Sequence, residues 1–160
     1  MLHINIICVG KLKEKYLQDA LSEYSKRLSK YCLLNIVELN DEKLPSNLND
    51  SLINQIKEKE SNNIISHIEK SSYVISLDLK GKQYSSEDFS KKITDISLNS
   101  FSNITFIIGG TLGLSNKVLQ LSNELICFSK MTFPHQLIRV FLLEQIFRAF
   151  KISNNETYHR

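Results

Sequence analysis

The chain has 160 residues, 42% hydrophobic and 23% charged, with a formal net charge of +3. That length and balance suit one domain, residues 1–160, around one core, and exclude intrinsic disorder. Cys8, Cys32 and Cys127 are far apart and form no C-x-x-C pair, which excludes a disulfide framework and a zinc site.

Leu2–Val9 is an apolar run stopped by Gly10, and it reads as a first strand. Tyr16, Leu17, Ala20, Leu21, Tyr24 and Leu28 then recur at helical spacing, predicting an amphipathic helix from about Lys13 to Lys30. Leu33–Leu39 is a second strand, and the polar stretch from Asn40 to Asp50, with Pro45, is a loop. A helix over Ser51–Lys70 is expected to weaken at Ser61, Asn62 and Asn63. Tyr73–Leu79 is a third strand, ended by a turn at Lys80 and Gly81. Ser86 is placed as the N-cap of a short helix carrying Phe89, Ile93, Ile96 and Leu98. Ile104–Ile108 is a fourth strand, running into Gly109 and Gly110. Ser115 caps a brief helix with Val118, Leu119 and Leu121; Leu125–Phe128 is a fifth strand; a last helix runs from about Pro134 to Ile152.

Strand and helix alternate throughout, and the strands are apolar runs rather than alternating patterns. The expected fold is therefore α/β: a mostly parallel sheet flanked by helices on both faces. The N-terminal run is too short and too interrupted for a signal peptide, and no segment has the length and apolarity of a membrane span. The expectation is a cytoplasmic protein with no membrane partner. A net charge of +3 permits an anionic partner such as RNA without demanding one. The last helix is apolar nearly all the way round, from Leu137 to Phe150. A helix lying on a sheet keeps a polar outer face, so the second apolar face predicts a homodimer interface. Phe147→Asp or Leu143→Asp is expected to give a monomer or an insoluble chain.

Three stretches carry chemical potential. Ile107-Ile108-Gly109-Gly110-Thr111-Leu112-Gly113-Leu114 runs from a strand end into a turn, where glycines admit close approach of a ligand to the backbone. Its G-G-x-x-G spacing after the fourth strand is not a dinucleotide fingerprint, and no acidic residue stands at the required distance, so a nicotinamide oxidoreductase is disfavoured. Phe128-Ser129-Lys130-Met131-Thr132-Phe133-Pro134-His135-Gln136 joins the fifth strand to the last helix and can wrap a cofactor. It places His135 in a helix first turn, where the positive dipole end favours neutral imidazole. The terminal Thr157-Tyr158-His159-Arg160 offers a phenol, an imidazole and a guanidinium, the groups that hold single-stranded RNA bases.

Together with Val9-Gly10-Lys11-Leu12-Lys13, Arg139-Val140, Glu144-Gln145 and Phe147-Arg148-Ala149-Phe150, these stretches resemble the RlmH family of SPOUT-superfamily methyltransferases from end to end. The resemblance implies an α/β domain with a C-terminal trefoil knot, a homodimer with sites near its interface, and S-adenosylmethionine as cofactor. It implies methylation of N3 of a pseudouridine in 23S ribosomal RNA of the large subunit, on the assembled ribosome, with no DNA partner. Leu77, Gly109, Phe128, Ser129, Lys130, Met131, Thr132 and Phe133 match cofactor-binding positions, and Tyr158, His159 and Arg160 match a tail that reaches the substrate. Asn154-Asn155-Glu156 departs from the Gly-Glu that many relatives carry before that tail.

A uridine-like N3 carries a proton and must lose it to become a nucleophile. His159 is the candidate base; Arg160 or Arg139 is the candidate for stabilising the ring anion; Tyr158 would stack on or orient the base; His135 is a further candidate contact to substrate. No cluster of metal ligands is visible and the chemistry requires none. A non-catalytic RNA-binding protein would share the basicity but leave the loop and tail without a purpose.

Overall fold

A computed structural model describes residues 1–159 of the chain. The element order is β1 (Leu2–Val9), α1 (Lys15–Leu28), β2 (Cys32–Leu39), α2 (Asp50–Ser66), β3 (Tyr73–Lys82), α3 (Ser86–Leu98), β4 (Asn103–Ile108), α4 (Asn116–Leu121), β5 (Glu124–Ile126) and α5 (His135–Ser153). The five strands form one sheet in the order β2-β1-β4-β3-β5, with every pairing parallel. Apolar runs make such strands because both faces of a parallel sheet are covered. Ile4, Ile6, Ile75, Ile104 and Phe106 face α1, α3 and α5, while Ile7, Val9, Val74 and Ile107 face α2 and α4.

Several local expectations change. The third strand does not turn at Lys80 and Gly81 but continues to Lys82, which pairs with Ile126 across a register shift. A Cβ on Gly81 would lie 2.4–2.7 Å from the backbone of Ile126, so glycine there admits a neighbouring strand. The N-cap of α3 is Ser85, whose Oγ accepts from the Asp88 N–H at 3.0 Å; the Ser86 hydroxyl donates to Gln145 at 2.8 Å instead. Ser115 caps α4 as expected, accepting from the Val118 N–H. α2 does not weaken at Ser61: that side chain is buried, donates to the Lys57 carbonyl, and shares a hydrogen bond with Ser115.

β5 is short, and polar groups anchor it. Glu124 accepts from the hydroxyls of Tyr84 and Tyr73 and pairs with Lys92 of α3 at 2.7 Å. Burial, with the Glu124 bond added, pushes the Tyr84 phenol up to about 12, so it stays a donor.

α5 returns from the β5 edge to lie between α1 and α3, contacting both. This corrects the reading of its two apolar faces. Leu142, Leu143, Ile146, Phe147 and Ala149 are buried within the same chain. An aspartate at Leu143 or Phe147 therefore tests folding rather than association. What stays uncovered is the start of the helix and the loop before it: Met131 is 73% exposed and Phe141 36%, with Leu137, Ile138 and Val140 half-buried. No helix among the described residues is long and apolar enough to cross a membrane.

Candidate active site

The connections either side of β4 run over opposite faces of the sheet, α3 on one and α4 on the other, so the segments leaving β3, β4 and β5 part at their carboxyl ends. Open α/β sheets bind ligands in such a crevice. A cavity of about 410 Å³ occupies it. The end of β3 supplies Leu77, Asp78, Leu79 and Lys80; the β4 turn supplies Ile108 to Thr111, Gly113 and Leu114; Ile126 to Ser129, Met131 to Phe133, His135 and Ile138 close it. Apolar walls with backbone polar groups between them are the usual composition of a small-molecule site. A Cβ on Gly109 would stand 3.0 Å from Gly113 and 3.1 Å from Leu114, and Gly113 has φ +74°, so the turn is packed on itself and needs its glycines.

The structure thus gathers Leu77, Gly109, Phe128, Ser129, Met131, Thr132, Phe133 and His135 in one cavity; Lys130 lies on the same loop but is exposed and does not line it. Leu114, the last residue of the glycine-turn stretch, lines it too; Asp78, Leu79, Lys80 and Cys127 join them without a chemical signal of their own, and only their position beside a strand's carboxyl end could have marked them. Cys127 is not core: it lines the cavity and donates to the Ser129 carbonyl at 2.9 Å. Cys8 and Cys32 are core, and burial pushes their thiols up to about 12 and about 11.

His135 and Arg139, one turn apart on α5, both face Gly10 at the end of β1; a Cβ there would sit 3.5 Å from His135 Nε2 and 3.8 Å from Arg139 Nη2. Arg139 is 1% exposed. Its Nη1 donates to Glu38 Oε2 at 2.8 Å, and its Nη2 to the carbonyls of Gly10 and Val9 at 2.7 and 3.2 Å. The guanidinium is committed to the ends of β1 and β2 and does not line the cavity. Burial, then the Arg139 cation, push the His135 imidazole below the ordinary histidine range, against the smaller opposing pull of Asp41. A depressed folded-state value means that the unfolded chain binds the proton more readily. The stability from keeping His135 neutral is whole above the unfolded value, about 6.5, and is lost as pH falls through the folded one. Denaturant titrations are expected to show stability falling as pH drops below about 6.5, with a shallower fall in His135→Gln.

The tail lies elsewhere. The Tyr158 hydroxyl donates to Glu144 at 3.1 Å, its ring meets Phe147 edge-on at 5.0 Å, and the Arg148 guanidinium sits 4.7 Å from its centroid. His159 Nε2 is 2.7 Å from Glu87 and its Nδ1 3.2 Å from Arg148 Nη1. Arg148 can only donate, so Nδ1 accepts and the Nε2–H donates to Glu87, leaving this imidazole no free lone pair. The same hydrogen bond holds the Glu87 carboxyl below its usual range. Arg160 lies outside the described residues. Glu144 also lines a second cavity of about 430 Å³, whose walls include Tyr84, Phe89, Phe128, Phe133, Phe141 and Gln145. The wall formed by Ile126 to Ser129 and Phe133 is common to both cavities.

Residues 2–159 match a family described as predicted SPOUT methyltransferase. The chain is 62% identical over 161 residues to a ribosomal RNA large subunit methyltransferase H from Clostridium botulinum strain Alaska E43, covering 99% of this chain and 100% of that protein. It is 58% identical over 159 residues to the protein of that name from Clostridium acetobutylicum, with the same coverage. Among solved structures it resembles a probable methylase family protein from Haemophilus influenzae Rd KW20, at TM-score 0.57 and 13% identity over 100% of this chain and 72% of that one. A candidate methyltransferase from Legionella pneumophila, determined with its cofactor SAM bound, aligns at TM-score 0.50 and 12% identity over 93% of this chain and 66% of that one. At such identities the likeness concerns the fold.

Proposed function

Because the chain belongs to the SPOUT methyltransferase family, we propose that it transfers the methyl group of S-adenosylmethionine to ribosomal RNA of the large subunit, at N3 of a pseudouridine. The observation that carries this reading is the cavity at the carboxyl ends of β3, β4 and β5, built from the positions matched to the cofactor, in a chain similar over its whole length to large-subunit rRNA methyltransferases.

The cavity suits the cofactor on its own chemistry. Leu77, Ile108, Leu114 and Ile126 offer apolar surface for a purine, and the glycines between Gly109 and Gly113 leave room for backbone groups to meet polar edges. S-adenosylmethionine supplies a methyl group already activated on a sulfonium. The chain supplies alignment, exclusion of water, and removal of the acceptor's proton. His135, neutral and half-buried in the cavity wall, contacts the acceptor. His159 serves as base after RNA has drawn the tail from Arg148 and Glu87, with Tyr158 and Arg160 orienting and neutralising the ring.

The enzyme works as a homodimer in this reading. Supporting that state is the apolar surface of Met131, Leu137, Val140 and Phe141 beside the cavity mouth. Phe141→Asp is expected to halve the mass seen by sedimentation equilibrium while the chain stays folded; an unaltered dimer would move the interface elsewhere. The trefoil threading accompanies the family, and the return of α5 from the β5 edge to the space between α1 and α3 supports it. The compartment is that of the ribosome, the cytoplasm.

The functional test is transfer of labelled methyl from S-adenosylmethionine to assembled ribosomes lacking the modification, with isolated large subunits alongside, followed by mass spectrometry of the nucleosides. N3-methylpseudouridine is the expected product, and its absence overturns the assignment. His159→Ala is expected to lower turnover about 100-fold or more, with cofactor affinity held; equal turnover removes His159 from the mechanism.

A further inference from the structure

Lys11, Lys13, Lys80 and Lys130 are exposed at the carboxyl end of the sheet and enter no ion pair among the described residues. What sets them apart is place rather than the lack of a partner, since Lys30 and Lys70 at the amino end of the sheet are also in no ion pair among the described residues. Lys80 lines the cofactor cavity, and Lys130 lies between Ser129 and Met131, which line it.

The loop carrying Lys11 and Lys13 is held rigidly. Leu12 between them is 6% exposed, so a buried anchor stands between two outward lysines. The Leu12 N–H donates to Glu38 Oε2 at 2.7 Å, and its carbonyl accepts from Gln18 Nε2 at 2.8 Å. That Glu38 oxygen also receives Arg139 Nη1 at 2.8 Å, so one carboxylate ties this loop to α5, whose first residue, His135, lines the cavity. Gly10, at φ +93°, makes the turn into the loop. Acidic groups also stand at this end: Asp41, whose Cγ lies 4.0 Å from where a Cβ on Gly10 would be, Glu14 next to Lys13, and Asp78 in the cavity wall, while Glu42 is paired with Lys59.

We infer that Lys11 and Lys13, set out on either side of buried Leu12 and fixed through Glu38 to Arg139, form a phosphate-binding edge for the RNA strand that enters the cofactor cavity. The inference rests on the reading of the chain as an RNA methyltransferase, since it names the surface which that substrate meets. A lysine is a point charge suited to phosphodiester oxygens, and a fixed loop leaves only its side chain to be ordered on binding. Such contacts locate the strand without reading its sequence.

The test is the double variant Lys11→Gln/Lys13→Gln beside Lys30→Gln/Lys70→Gln, which removes the same charge at the amino end of the sheet. Affinity for large ribosomal subunits and for protein-free rRNA is measured over a salt series, together with methyl transfer. The loop variant is expected to bind about tenfold more weakly, with the slope of log affinity against log salt reduced by about 1.5, while S-adenosylmethionine affinity, the check on folding, is unchanged. The control pair is expected to match wild type. Wild-type affinity and slope in the loop variant, equal losses in both pairs, or no RNA binding by wild type each overturns the inference. RNA binding weakened by the loop variant, with no methyl transfer even by wild type, retains this edge and refutes the methyltransferase reading.

Discussion

Arg139→Met is expected to cost about 3 kcal/mol of folding stability, seen as a fall of roughly 10 °C in the thermal midpoint. The side chain is 1% exposed, and its removal strips a donor from Glu38 and from the carbonyls of Val9 and Gly10. A volume-matched apolar chain fills the space but leaves those acceptors short of partners, and an unpaired carboxylate costs more than the intact pair contributes. Glu38 is about one-third exposed, so water relieves part of the penalty, which places the figure at the low end of the range for buried pairs. Arg139→Lys is expected to rescue little, because one ammonium cannot span Glu38 and both carbonyls as the fork does. A shift under about 2 °C in the methionine variant would mean that this clamp does not hold the ends of β1 and β2.

Gly81→Ala is the second large effect. Its Cβ would stand 2.4–2.7 Å from backbone atoms of Ile126, where no flexible side chain can yield. β5 must move away from β3, and the loop from Cys127 to Phe133, which starts at Ile126, moves with it. The expected outcome is S-adenosylmethionine affinity weaker by about 100-fold, or about 2.7 kcal/mol, with loss of stability of a few kcal/mol, the order seen for overpacking. Calorimetric titration and denaturant unfolding read the two separately. Wild-type affinity in this variant would show that β5 is not held closely enough to shape the cavity.

These two residues mark where reading the chain stopped. Arg139 stood among the polar positions of α5 and could be taken for a group aimed at substrate. Its partner Glu38 is 101 residues away, and only the return of α5 between α1 and α3 brings the two together. Gly81 read as a turn because glycine after a strand usually is one; that it admits another strand depends on β5, which pairs with β3 from more than forty residues further on. The apolar surround of α5 was legible, but not what covers it, since a helix wedged between two others has the same composition as one buried in a partner.

What the sequence determined by itself was local or periodic. Apolar runs alternating with amphipathic stretches require a covered parallel sheet, Ser115 caps its helix through its own hydroxyl, and the stretch from Phe128 to Gln136 carries its resemblance in consecutive residues. Tertiary structure alone decided which loops meet, that Arg139 clamps while His135 faces the cavity, and that Tyr158 and His159 rest on Glu144, Arg148 and Glu87. Those arrangements join segments far apart along the chain. Their energies come from burial and from charges brought within hydrogen-bonding distance, quantities that exist only after the sheet has set the order of its strands.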